Sequence, residues 1–146
     1  MPVFTHTEVT QATPELIDSI FEFGKECIIP EALESQMFPY PEKASIQRQF
    51  DDGNRVLFIY ADGVDLRVVV AFDSEGVIRF CVSKPWLTPA EIEAGNIHPN
   101  GRAQSKYYYD FIKAECGQVK SFNTSPHPSV KSLYEESGVI VIKPGA

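Results

Sequence analysis

Residues 55–82 constrain the fold more than any other stretch of this chain. Arg55–Tyr60, Leu66–Phe72 and Val77–Val82 are rich in β-branched and aromatic residues, and Asp62-Gly63 and Ser74-Glu75-Gly76 interrupt them. Such segments supply the backbone conformations of tight turns, so the three runs predict consecutive antiparallel strands.

The flanking segments add helices and further strands. Residues 3–9, VFTHTEV, alternate well enough for a first strand. Thr13 and Pro14 then suit the N-cap and first position of a helix. Leu16, Ile17, Ile20, Phe21 and Gly24 mark one face of that helix, which ends before Pro30. Residues 31–41, with Pro39 and Pro41, predict an irregular or briefly helical passage. A second helix is expected over 42–51, with Ala44, Ile46 and Phe50 as its apolar face. Beyond the three strands, Pro85 and Pro89 restrict a loop in which Trp86 and Leu87 either seal a core or rim a pocket.

The alternation of Glu91–Ile97 predicts a short strand. Arg102–Cys116 places Tyr108, Phe111, Ile112 and Glu115 at near-helical spacing, and Gly117 supplies a stop. Val119–Phe122 then reads as strand, Pro128–Ser137 as helix and Val139–Ile142 as a last strand. The order predicts one α+β domain over residues 1–146, antiparallel-rich in its first half and βαβαβ in its second.

A chain of 146 residues can bury a substantial core without disulfides or a structural metal. Its hydrophobic content of 43% and charged content of 23% match soluble globular proteins. No run approaches the roughly 20 apolar residues that cross a bilayer, and no basic-then-apolar leader opens the chain. The expected setting is cytoplasmic, without membrane partners. Cys27, Cys81 and Cys116 are odd in number and lie beside apolar or aromatic residues, which predicts buried free thiols. His6, His98 and His127 have no recognised zinc spacing, so no metal is expected. A formal charge of −7 argues against broad nucleic-acid binding. It leaves room for a local anion site, and an acidic surface attracts a basic amine or basic protein segment.

The segment Ile97–Tyr108, IHPNGRAQSKYY, is the candidate anion site. Pro99 restricts the chain at the end of the expected strand, and Asn100-Gly101 permits a sharp turn. A helix beginning near Arg102 directs amide donors at a phosphate. Arg102 reinforces the charge, Ser105 permits close approach, and Lys106 either reaches outer phosphates or faces water. An ordinary loop and capped helix is the other account of the same residues.

Ile97, Pro99, Arg102, Ala103, Ser105 and Tyr108 occupy the places of V-x-P-x-x-R-G-x-G-x-x-L, the acetyl-CoA-binding signature of the GNAT superfamily of N-acetyltransferases, which the segment resembles. HPSVKSLYEESGV at 127–139 is similar to the family's N-x-x-A-x-x-L-Y-E-x-x-G-F. Leu133, Tyr134, Glu135 and Gly138 match directly, whereas His127, Val130 and Val139 replace Asn, Ala and Phe. Ala103 and Ser105 stand where the family carries both glycines. The resemblance implies a single-domain acyl-CoA N-acyltransferase-like fold with a mixed central sheet flanked by helices. It implies acetyl-CoA as cosubstrate and an amine-bearing acceptor, and the family commonly forms homodimers.

Carried onto this chain, the resemblance implies that Glu93–His98 hold the pantetheine arm through backbone bonds. The amides of Gln104–Tyr107 receive the pyrophosphate, with Arg102 assisting. Tyr134 then points at the sulfur and protonates or stabilises the departing thiolate. Glu91 and Glu93 share one face of the expected strand, and either takes the proton of the attacking amine. His98 and His127 are lesser candidates for that task. For Tyr134 the alternative is an aromatic anchor in the core. For the chain it is a non-catalytic protein using this scaffold for assembly or recognition, since both phosphate-loop glycines are absent and the base is undefined. A third account is an unrelated α+β domain. Phe38, Tyr40 and Trp86 either line an acceptor pocket or pack in the core.

Overall fold

In the computed structural model, residues 2–27, 42–96, 98–123 and 128–143 are described, apart from the side chains of Ile92, Glu93, Pro128 and Ser129. Strands β2 (Arg55–Ala61), β3 (Asp65–Phe72) and β4 (Ile78–Ser83) form the expected meander. Strand β1 (Phe4–Val9) adds antiparallel to β2, giving the order β1-β2-β3-β4. At the first turn Asp62 and Gly63 have φ values of 53° and 78°. Two consecutive left-handed residues match the twist of the strands they join. At the second turn the Asp73 carboxylate accepts from the amides of Glu75 and Val77, at 2.9 and 3.1 Å. It also accepts from Arg79 Nε at 3.0 Å.

Both faces of this sheet are buried. Helices α1 (Pro14–Cys27) and α2 (Lys43–Asp51) bring Ile17, Ile20, Phe23 and Ile46 against Val56, Phe58, Val69 and Ala71. On the opposite face, helices α4 (Pro99–Cys116) and α5 (Pro128–Ser137) bring Tyr109, Ile112 and Leu133 against Leu57, Ile59, Val68 and Val70. A sheet covered on both sides needs apolar residues at successive positions, which explains the unbroken run Val68–Phe72. Each such side chain contributes about 1.5–3 kcal/mol through burial. Thr13 caps α1 as its residue type implies, accepting from the Leu16 amide at 3.1 Å. Arg55 ties β1, β2 and α4 together by donating to Glu8 at 2.7 Å and Glu115 at 2.9 Å. That donation holds the Glu8 carboxyl below its ordinary range.

A second sheet follows from β5 (Lys120–Ser121) and β6 (Ile140–Val141), which pair in parallel across the α5 crossover. Among the described residues, the two sheets meet in one parallel bridge, Val77 with Lys120. There the Lys120 amide donates to the Gly76 carbonyl at 2.9 Å. The result is a single-domain α+β fold with a split mixed sheet flanked by helices, compatible in topology with an acetyltransferase scaffold. Among the described residues no helix is long and apolar enough to cross a membrane.

Two expectations are corrected. Glu91–Ile97 is not a strand: α3 (Pro89–Glu93) occupies its first part. Local capping outweighs the alternation, because Pro89 suits the first helical position and Thr88 with Glu91 forms a reciprocal cap. The strand that leads towards the central helix is β4, which ends at Ser83. The central helix begins at Pro99 rather than near Arg102, so Asn100-Gly101 is its first turn instead of a loop. His98 is the N-cap, its ring nitrogen accepting from the Asn100 amide at 3.0 Å. Cys27 and Cys81 are buried as expected, whereas Cys116 is half-buried. Residues 31–41, including Phe38 and Tyr40, lie outside the described residues, as do Pro30, Ile97 and His127.

Gly76 holds the two sheets in register. Its φ is 78°, and a Cβ there would collide with the Gln118 carbonyl, part of the backbone that carries β5 into place. Gly76→Ala is therefore expected to cost about 3 kcal/mol, from left-handed strain plus backbone displacement. Chemical denaturation of the variant against the parent chain measures it, and a loss within error of zero contradicts this account of the join.

Candidate functional site

From Arg102 to Tyr107 the implied cofactor residues lie on α4, where most are committed to packing or ion pairs. The central one is Gln104, buried under the loop that leaves β4. Its Oε1 accepts from Trp86 Nε1 at 2.8 Å and from Arg67 Nε at 3.3 Å. Arg67 is only 5% exposed. Its other nitrogens donate to the carbonyls of Lys84 and Pro85 at 3.0 and 2.9 Å and to Asp65 at 3.3 Å. Its guanidinium carbon lies 3.8 Å from the Trp86 ring centroid, a cation–π contact inside the protein. A buried charge is tolerated because every face of it meets an acceptor or a ring.

Trp86 also stacks on His98, with centroids 5.8 Å apart and planes inclined at 22°. The stacked pair lies at the N-terminus of α4, where the Arg102 amide donates to the His98 carbonyl. The amides of Gln104–Tyr107 are inside the helix, where backbone N–H groups serve the helix's own carbonyls. Arg102 pairs with Glu136 of α5, and Lys106 pairs with Asp110 at 3.1 Å. Ala103 and Ser105 are half-buried, and Ser105 hydrogen-bonds Tyr108. Tyr107 shares a 2.7 Å hydrogen bond with His6 of β1, and burial pushes its phenol above the ordinary range.

The implied catalytic residues come from two helices, Glu91 and Glu93 from α3 and Tyr134 from α5. Glu91 accepts from both the amide and hydroxyl of Thr88, at 3.1 and 2.9 Å, and these bonds lower its pKa. A lowered pKa weakens a carboxylate as a general base. Glu93 ends the same helix, α3. Tyr134 is 3% exposed, its hydroxyl 3.1 Å from Ser121 Oγ of β5 and its ring against Tyr109. Burial raises its pKa, while hydrogen bonds from Ser121, Tyr109 and Asn123 work in the opposite direction.

Tyr134 belongs to a buried polar seam beside the split in the sheet. Cys81 of β4 donates a long contact, 3.6 Å, to the Tyr108 hydroxyl, and the Tyr108 ring lies edge-on to Tyr109. Tyr109 in turn meets Tyr134, which reaches Ser121. The seam thus links β4 to β5 through α4 and α5. Burial pushes the Cys81 thiol up, which disfavours the nucleophilic thiolate. Burial also pushes Cys27, on α1, up to about 12.

Sequence reasoning missed Arg67, which had been absorbed into the strand Leu66–Phe72. The register passes from Ile59–Val68 to Tyr60–Leu66, so Arg67 is the extra residue of a β-bulge. Its one signal was a lone cation in an otherwise apolar run. Ser121 and His6 carried no distinguishing pattern. No protein-family model, curated protein or solved structure matches the chain.

Trp86 is the chain's single tryptophan, so its emission reports on the Arg67 cluster directly. Arg67→Met is expected to red-shift that emission and cost about 1–3 kcal/mol, from Gln104 and the Lys84 and Pro85 carbonyls left without their donor. Arg67→Lys is expected to rescue neither, because an ammonium cannot reach the same set of acceptors. An unshifted emission in Arg67→Met contradicts the cluster.

Burial raises the pKa values of Tyr108, Tyr109 and Tyr134 above the ordinary value of 10. The folded state keeps these protons at pH values where the unfolded chain loses them. Their contribution is therefore full below pH 10 and is lost as pH rises beyond it. Ultraviolet titration is expected to show three tyrosines ionising only as the fold is lost, and smooth ionisation of all six contradicts this.

Proposed function

We propose that this chain uses an acetyltransferase-like scaffold for binding and assembly rather than for acyl transfer. The observation that carries this reading is the Tyr134 hydroxyl, which serves as a core anchor to Ser121 between α5 and β5. A general acid must reach its leaving group in the reacting complex. Here the phenol is packed on Tyr109 and engaged by its own fold. The placement of Glu91 in a helix cap and of Arg102 in a pair with Glu136 supports the same reading. The net charge of −7 favours a basic partner segment over nucleic acid.

Acetyl-CoA-dependent transfer of an acetyl group to an amine is the second reading, and the split between the four-stranded and two-stranded sheets favours it. In that reading the amine nitrogen attacks the thioester carbonyl carbon and the C–S bond breaks. Glu91 or Glu93 takes the amine proton, and Tyr134 supplies one to the thiolate. Ile97, His98 and Arg102, with Ala103–Tyr107, would hold the cofactor. That role requires Trp86 to leave His98 and Arg102 to leave Glu136.

Calorimetric titration with acetyl-CoA, paired with Tyr134→Phe, separates the two. The binding reading expects no heat of acetyl-CoA binding at high micromolar cofactor. It also expects a Tyr134→Phe chain destabilised by about 1 kcal/mol through loss of the Ser121 bond. Micromolar acetyl-CoA binding, with turnover of an amine that Tyr134→Phe abolishes at unchanged stability, replaces it with the transfer reading.

A further inference from the structure

Helix α4 is capped by a ring nitrogen. Most N-caps are Ser, Thr, Asp or Asn, whose side-chain oxygen accepts a backbone amide. Here His98 Nδ1 accepts from the Asn100 amide at 3.0 Å. Pro99 has no N–H, so that amide is the first donor of the helix. A backbone N–H can only donate, which makes Nδ1 the bare nitrogen and leaves the ring proton on Nε2. A half-turn of the ring would set a carbon against Asn100 and lose the bond. A hydroxyl or amide oxygen caps whatever the pH, whereas this cap exists only while the imidazole is neutral.

The charged groups near the ring come from several elements. Arg67 of β3 lies 3.8 Å from the centroid of Trp86, the ring on which His98 stacks. Asp65 is turned to Arg67 at 3.3 Å, and the charge of Lys84, in the loop that carries Trp86, acts on Cys27 of α1. Arg102 follows one turn along α4 and is held by Glu136 of α5. Glu91 of α3, whose carboxyl is lowered first by its Thr88 bonds, also feels His98. A cation is disfavoured at the N-terminal end of a helix. A doubly protonated ring thus has no acceptor for Asn100, meets the positive end of α4 and is drawn to the Glu91 carboxylate.

We propose that His98 is an acid-sensitive cap, in which a proton on Nδ1 releases the Asn100 amide and turns the imidazolium from α4 towards Glu91 of α3. The first turn of α4 then opens and Trp86 loses its stacking partner, while Arg67 and Gln104 keep their hold on the loop. Because the cap requires the neutral ring, it stabilises the fold at neutral pH. It is lost as pH falls through the ordinary histidine range, from about pH 8 to about pH 5. The device does not depend on whether acetyl-CoA binds.

Heteronuclear NMR of the whole chain tests each part. At neutral pH the His98 ring is expected to carry its proton on Nε2. On acidification the Asn100 amide signal is expected to move in step with that ring, and Trp86 emission to change with the same midpoint. His98→Asn supplies an oxygen cap that does not titrate, so it is expected to fold and to abolish both steps. Relative to that variant, the folding equilibrium constant of the parent chain is expected to fall about fivefold across the histidine range, the worth of one cap. A neutral ring with its proton on Nδ1 overturns the proposal. So does an Asn100 signal that stays in place throughout, or a Trp86 step that survives in His98→Asn.

Discussion

One buried guanidinium organises the passage from the four-stranded sheet to the central helix. Arg67 sits where the β3 bulge turns it towards α4, and it binds the first carbonyls after β4, the side chain of Gln104 and the face of Trp86. Remove the charge and three elements lose their common anchor. Trp86 would no longer be held over His98, and the loop that leads from the sheet to the central helix would lose its first fixed point. The arrangement costs desolvation of a cation, offset only while all the acceptors stay in place. It therefore specifies one loop conformation more than it adds stability.

The same constraint explains what the sequence could and could not reveal. The meander was legible because its signals are local: β-branched runs and Asp-Gly turns act within a few residues. The N-cap of α1 and the Gly117 stop were legible for the same reason, Gly117 having a φ of 79°. The Glu91–Ile97 strand failed because its alternation competed with a Thr88–Glu91 cap, and the cap is a hydrogen-bonded structure whereas alternation is only a pattern. Arg67 failed because a bulge breaks the period-two rule that assigns side chains to faces. A bulge depends on the partner strand, which no single window contains.

The site followed a similar division. Of the two accounts that the sequence left open for Tyr134, the core anchor is the one its packing on Tyr109 and its Ser121 bond match. Its partner was not legible, because Ser121 is an ordinary residue type in a two-residue strand. The amides expected to cradle a phosphate were placed one turn too late, since the helix starts at Pro99 and uses them internally. A proline at the first helical position and a histidine cap were present in the sequence. They were read as a loop because Asn100-Gly101 is so strong a turn signal.

The parallel bridge between Val77 and Lys120 has a consequence for cooperativity. The four-stranded sheet closes with local pairings and its own helices α1 and α2, whereas among the described residues β5 meets it in one backbone bridge and α5 joins it through Leu133, the tyrosine seam and the Arg102–Glu136 pair. Local opening can therefore release the C-terminal unit while the meander remains folded, giving amide protons of the two parts different exchange lifetimes. In such a molecule the least persistent region is also the one that carries β6, where Ile140 and Val141 are exposed. Anything that binds there lengthens the lifetime of the closed form, so association and local order are thermodynamically linked.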